Sequence, residues 1–126
     1  MQKDNFVLLN RISQAIYDKK GSNILALDVR PCHIMADYAI IADGSVDKHV
    51  IAIAYAIEKV MAEEGHHSSF TQGMQIGDWI VLDYMDIVVH LFLPDVRDRY
   101  QLERLWQKSE IVDVVIEVHE KRCLII

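Results

Sequence analysis

The stretch GDWIVLDYMDIVVHLF, residues 77–92, holds two apolar runs, 79–83 and 86–92, separated by Tyr84 and Met85. Ile, Val, Leu and aromatic residues fill nearly every position, and runs of this length and composition read as strands. A link this short joins them as an antiparallel hairpin. Neither run alternates between apolar and polar residues, so the hairpin is expected to be buried on both faces. Two-residue hairpin loops favour Gly or Asn at positive φ. Tyr84 and Met85 are neither, which predicts mild strain or a slightly longer turn.

Upstream, Leu9, Ile12, Ala15 and Ile16 recur at helical spacing and predict a helix over 4–20, with Gly21 as its left-handed closing residue. Apolar runs at 24–29 and 38–42 read as strands, and Pro31, which cannot donate to a ladder, falls in their connection. Ser45 is expected to cap a helix that reaches about residue 64, with Gly65 as its stop. Val50, Ile53, Ala54, Ile57 and Met61 form its apolar stripe. Strand, helix and strand make a crossover of right-handed type. A polar loop follows, with a short strand near 69–71.

Downstream, Pro94 and Asp95 open a third helix, with Asp95 as its cap and ion-pair partner of Arg99, and with Leu102, Leu105 and Trp106 as its apolar side. From 111 to 126, Val112, Val114, Ile116 and Val118 alternate with polar residues, which predicts an edge strand. The fold class is α+β with α/β character: one domain, a mixed sheet of about five strands flanked by helices, and an extra C-terminal strand.

The 126 residues suit one domain, and 52% apolar with 25% charged residues suits a packed core. No apolar run is long enough to span a bilayer, and residues 1–11 lack the pattern of a secretory or transit signal. With two cysteines, a reducing cytoplasm is the expected setting and no disulfide framework is expected. The net charge of −6 disfavours gripping a nucleic acid backbone and favours a basic protein as partner.

Three stretches together resemble the ribosomal silencing factor, or Iojap-like, family. They are ALDVR (26–30) with ADYAIIADGSVDKHV (36–50), the hairpin stretch 77–92, and RYQLERLW (99–106). The resemblance covers roughly residues 5–107. It implies a nucleotidyltransferase-like topology, a family domain at 1–107 and a C-terminal extension at 108–126 packed on it. It also implies binding to the large ribosomal subunit through ribosomal protein L-fourteen, steric blockage of small-subunit joining, and repression of translation. Little direct RNA contact, no membrane, no cofactor and a homodimer when free go with that reading. An assembly factor without silencing is the alternative, and a nucleotide-binding enzyme a more distant one. Met85 stands where the family commonly has Gly, and Asp43-Gly44-Ser45-Val46 replaces a more usual Thr-Gly-Thr/Ser-Ser.

The candidate partner-binding residues are Asp78, Trp79, Asp83, Tyr84, Asp86, His90, Arg99, Tyr100 and Glu103. Between 78 and 98 five aspartates face one arginine, Arg97. They make either an acidic rim for a basic protein or a set of turn and helix caps. Trp79, Tyr84 and Tyr100 are candidate anchors, since aromatic residues dominate interface energetics, whereas Trp106 fits core packing better. His90, inside an apolar strand, reads as a core histidine donating a ring N–H to a carboxylate, or as a polar contact that reaches the partner. Cys32-His33 and His66-His67 lack the spacing of a metal site. Gly44-Ser45 resembles a nucleotidyltransferase phosphate loop, but no close acidic pair follows on a strand, so a helix cap is the simpler reading.

Overall fold

The hairpin forms where the apolar runs place it, as β4 (Trp79–Asp83) and β5 (Ile87–Phe92). Its antiparallel register pairs Trp79 with Phe92, Val81 with His90 and Asp83 with Val88. The computed structural model describes residues 2–32 and 36–117. The remaining elements are α1 (Gln2–Asp18), β1 (Ser22–Asp28), a 3-10 turn (Arg30–Cys32), β2 (Tyr38–Asp43), α2 (Asp47–Glu63), β3 (Phe70–Gln72), α3 (Pro94–Tyr100), α4 (Leu102–Leu105) and β6 (Glu110–Ile111). The architecture is α+β, with one six-stranded mixed sheet in the order β3-β4-β5-β2-β1-β6. The central β2–β5 pair is parallel, and every other pair in the sheet is antiparallel.

Period decides which side chains go inside. Leu9, Ile12 and Ile16 of α1 and Val50, Ile53, Ile57 and Met61 of α2 bury their stripes against Ile40, Ala42, Ile80, Leu82, Val89 and Leu91. Each fully buried Leu or Ile contributes about 1.5–3 kcal/mol. The opposite face is covered over β1, β2 and the end of β5, where Val96 and Leu102 pack on Leu27, Ala39, Ile41 and Phe92. Over the rest of the hairpin the cover stops. Trp79, Val81, Asp83, Val88 and His90 are only half-buried. Burial on both faces, expected from the apolar runs, therefore holds for one face alone.

Several local details differ from the sequence reading. Gly21 is not the left-handed residue closing α1; Lys20 takes φ 66 instead. Gly21 is required by packing, since a Cβ there would lie 2.4 Å from Ile16 Cγ2. Val46, not Ser45, precedes α2, with no side-chain cap. Leu93, not Asp95, precedes α3, and Asp95 sits in its first turn without pairing with Arg99. The third helix is broken in two at Gln101, whose φ of 50 is left-handed. The hairpin turn, by contrast, is as expected, longer than two residues and strained: Tyr84 N–H donates to Ile87 C=O and Met85 carries φ 74. Gly65 does close α2, at φ 85, with His66 N–H donating to Met61 C=O.

The C-terminal strand is shorter than its alternation predicts. Only Glu110 and Ile111 join the ladder, opposite Asp28 and Leu27. The chain then turns onto α1, where Val115 N–H donates to Asn10 Oδ1 and Glu117 N–H to Gln14 Oε1. Side-chain amides there replace the strand partner that a longer edge would need. The part of that predicted strand from 118 to 126, like His33, lies outside the described residues.

Candidate partner-binding surface

On the half-open face, strand pairing brings residues from β3, β4 and β5 into one surface. Gln72 lies opposite Val81 and Phe70 opposite Asp83, extending the ladder outward from the hairpin. Trp79 occupies the centre of an aromatic group. Its ring centroid is 4.9 Å from Phe92, 4.8 Å from Tyr100 and 6.0 Å from His90. Trp106 approaches the other side of His90 at 5.8 Å. The break at Gln101 makes this possible, because it lets α4 turn back and return Trp106 to the sheet.

Trp79 Nε1–H donates to His90 Nδ1 at 3.1 Å. His90 is thus an acceptor from an indole rather than a donor to a carboxylate. With Nδ1 accepting, the neutral ring carries its proton on Nε2. Burial pushes the His90 pKa from 6.5 down to about 4, since the charged ring is poorly solvated there. The imidazole is therefore held neutral, and the indole is held by it.

Asp78 and Arg99 flank a hollow of about 320 Å³ beside Trp79 and Tyr100, with Gln72 and Val81 in its wall. Tyr100 is 49% exposed at the end of α3. Asp78, Trp79, His90, Arg99 and Tyr100 are thus brought together. The other four candidates are not part of this group. Tyr84 points to the helix-covered face, only 8% exposed, and its buried hydroxyl has no hydrogen-bond partner among the described residues. Burial first, and Glu58 second, push its pKa up to about 12. Asp83 lies at the far end of the hairpin, where Oδ1 accepts Met85 N–H. Asp86 is exposed in the turn, and its carbonyl accepts the N–H groups of Asp37 and Tyr38.

Glu103 is engaged within the molecule. Its Oε2 accepts Arg97 Nε–H at 3.0 Å. Arg97 Nη1 donates to Asp43 Oδ1 and to the Asn23 carbonyl, each at 2.7 Å. Asn23 Nδ2 completes the cluster on Asp43 Oδ2 at 2.7 Å. This clamp ties α3 and α4 to the edge of β1 and β2 and so sets where Tyr100 and Trp106 sit. In the sequence alone Arg97 reads only as a lone positive charge among aspartates. Its spacing six residues before Glu103, across a helix break, gave no helical i, i+4 signal.

At Gly44-Ser45 the backbone is engaged within the molecule. Ser45 N–H donates to His49 Nδ1 at 2.8 Å, and His49 Nε2 lies 2.6 Å from the Lys19 carbonyl. No three His, Cys, Asp or Glu side chains among the described residues are grouped to hold a metal ion. No helix among them is long and apolar enough to cross a membrane.

One helix-covered sheet face and one half-open, aromatic-lined face define the class: a small α+β protein built on a single mixed sheet. The chain belongs to the ribosomal silencing factor family, whose description, ribosomal silencing factor during starvation (RsfS), matches residues 2–123. It is 36% identical over 107 residues to the ribosomal silencing factor RsfS of Bacillus subtilis, covering 85% of this chain and 91% of that one. A mouse relative called mitochondrial assembly of ribosomal large subunit protein 1 is 24% identical, covering 87% of this chain and 50% of its own length. Among solved structures, a Chromobacterium violaceum protein superposes with a TM-score of 0.78 at 28% identity, covering 90% of this chain and 94% of its own. A Bacillus halodurans protein gives 0.75 at 33% identity, covering 86% and 98%.

Proposed function

We propose that this protein binds the large ribosomal subunit through ribosomal protein L-fourteen and blocks small-subunit joining by occupying space, so repressing translation in the cytoplasm. One observation carries the reading: half-buried Trp79 and His90, exposed Tyr100, and Val81 and Val88 lie together on the part of the second sheet face that α3 and α4 leave uncovered. Aromatic and Arg side chains in such positions supply most of the energy of protein interfaces. Asp78 and Arg99 form the near rim, and Asp83 and Asp86 extend it toward the turn. Tyr84 and Glu103 act behind the surface, shaping the turn and holding α4.

The net charge of −6 favours a basic protein partner over RNA. Excluded volume needs no turnover and no cofactor, so the protein works as a binding module rather than an enzyme. An interface of about 1,600 Å² in total suffices for stable association. The same apolar face accounts for a homodimer when no ribosome is present.

The test is sedimentation of the purified protein with isolated large subunits, followed by light scattering as small subunits are added. Co-migration and loss of joining are expected, and failure to co-migrate overturns the reading. The name of the mouse relative favours a second reading, an assembly factor that leaves joining intact. Polysome profiles under starvation separate the two, because only a silencer keeps free subunits apart.

A further inference from the structure

A second concavity lies where the C-terminal ends of β2 and β5 meet the starts of α2 and α3, a groove of about 440 Å³. It is lined by Val46 and Ile76, 56% and 69% exposed, and by Leu93. Asp47, Asp78 and Asp95 line it as well, and neither Lys nor Arg does. Asp47 gives one oxygen to Lys48 N–H at 2.7 Å. The carboxylates of Asp78 and Asp95 take no hydrogen bond or ion pair among the described residues. Exposed aliphatic side chains grouped beside carboxylates that have no partner among the described residues suit a surface that another chain covers.

We propose that this groove receives a basic segment of a protein partner, in which lysine or arginine side chains alternate with aliphatic ones. The aliphatic stems of Lys and Arg lie along apolar side chains while their charged heads reach carboxylates, and this groove offers both, Val46, Ile76 and Leu93 together with Asp47, Asp78 and Asp95. The alternatives fit less well. A phosphate would meet the start of α2 favourably but would face three carboxylates. A bare metal ion would lack a grouped donor set among the described residues. A purely apolar segment would cover Asp78 without pairing it. The overall charge of −6 steers a cationic segment toward the protein before contact.

Asp78 also borders the hollow beside Trp79, so one partner can span both concavities. In that respect the inference rests on the proposed ribosomal role, and its test is made separable from it. Methyl-labelled protein is titrated with an amidated peptide of alternating lysine and leucine, with its glutamate–leucine counterpart, and with polyuridylate RNA. Expected are shifts of the Val46, Ile76 and Leu93 methyl resonances with the lysine–leucine peptide alone. The double variant Asp78→Asn/Asp95→Asn should bind that peptide about tenfold more weakly, and added salt should weaken the native protein likewise.

Absence of methyl shifts with the basic peptide overturns the inference, as do equal shifts with the acidic one. Shifts of the same methyls by RNA overturn the choice of a protein partner. Equal affinity of the Asn variant overturns the role of the carboxylates. Trp79→Ala should keep the peptide shifts while losing the large subunit. A native protein that shows the shifts but does not co-sediment would leave the groove standing and remove the ribosomal reading.

Discussion

Trp79 and His90 are joined across the hairpin by an indole N–H donated to Nδ1 at 3.1 Å, so that the central ring of the aromatic group is held by an imidazole that must stay neutral. Protonating His90 would remove the acceptor and place a charge among Trp79, Phe92 and Trp106. The folded pKa of about 4 lies below the ordinary 6.5, so the unfolded chain takes up the proton first as pH falls. Stability from this site is therefore complete above pH 6.5 and declines between pH 6.5 and 4, by up to about 3 kcal/mol. Thermal melts across that range should show the decline, and His90→Gln should flatten it. Parallel curves for the two proteins would refute the assignment.

Trp79→Ala should weaken large-subunit binding by about 2 kcal/mol or more, roughly thirtyfold in Kd, while leaving a cooperative melt. Trp79→Phe keeps the ring but loses the bond to His90 and should fall between. Unchanged retention of the Ala variant on large subunits would remove Trp79 from the interface.

Breaking the clamp is a stability experiment. Arg97 is nearly buried and Asp43 more so, and removing one member of a buried pair costs about 3–5 kcal/mol. Arg97→Ala should therefore lower the denaturant midpoint strongly. Glu103→Gln should cost about 1 kcal/mol or less, because Glu103 is partly exposed. Comparable losses for both variants would show that the Glu103 contact, not Asp43, dominates.

Met85 holds φ 74 in the hairpin turn, a region costing about 1–2 kcal/mol for an L side chain. Met85→Gly should raise stability by about 0.5–1 kcal/mol after the extra chain entropy of Gly is subtracted. A loss of stability on chemical denaturation would show that the Met85 side chain contributes more than its backbone costs.

Gly73→Ala should do the reverse. A Cβ there would come within 2.0 Å of the Trp79 carbonyl oxygen, and Gly73 holds φ 91. The loop before β4 must move, and Trp79 with it. Both melting temperature and large-subunit binding should drop, whereas a variant bound as tightly as the native protein would show that the loop yields without disturbing Trp79.

The helices and the hairpin were legible because their signals are local. Val50, Ile53, Ile57 and Met61 mark one side of α2 by period alone, and the apolar runs of β4 and β5 mark a hairpin. The uncovered face was not legible, because apolar runs look alike whether a helix or a partner covers them. Tyr84 reaches the helix-covered face because it continues the alternation of Ile80 and Leu82 one step past the end of β4. The cluster around Trp79 depends on Tyr100 and Trp106, whose return to the sheet follows from the left-handed Gln101. Nothing in the neighbours of Gln101 announces that conformation.

The parallel seam at the middle of the sheet pairs Tyr38 with Ile87 and Asp43 with Phe92, partners 49 residues apart in the chain. A nascent chain therefore exposes the inner edge of β2 until the hairpin has been synthesised and has emerged. At about 5–20 residues per second, that is a delay of roughly 2–10 seconds. During that interval Ile40 and Ile41 lack their neighbours on one side, making premature termination between the two strands a direct route to insoluble fragments.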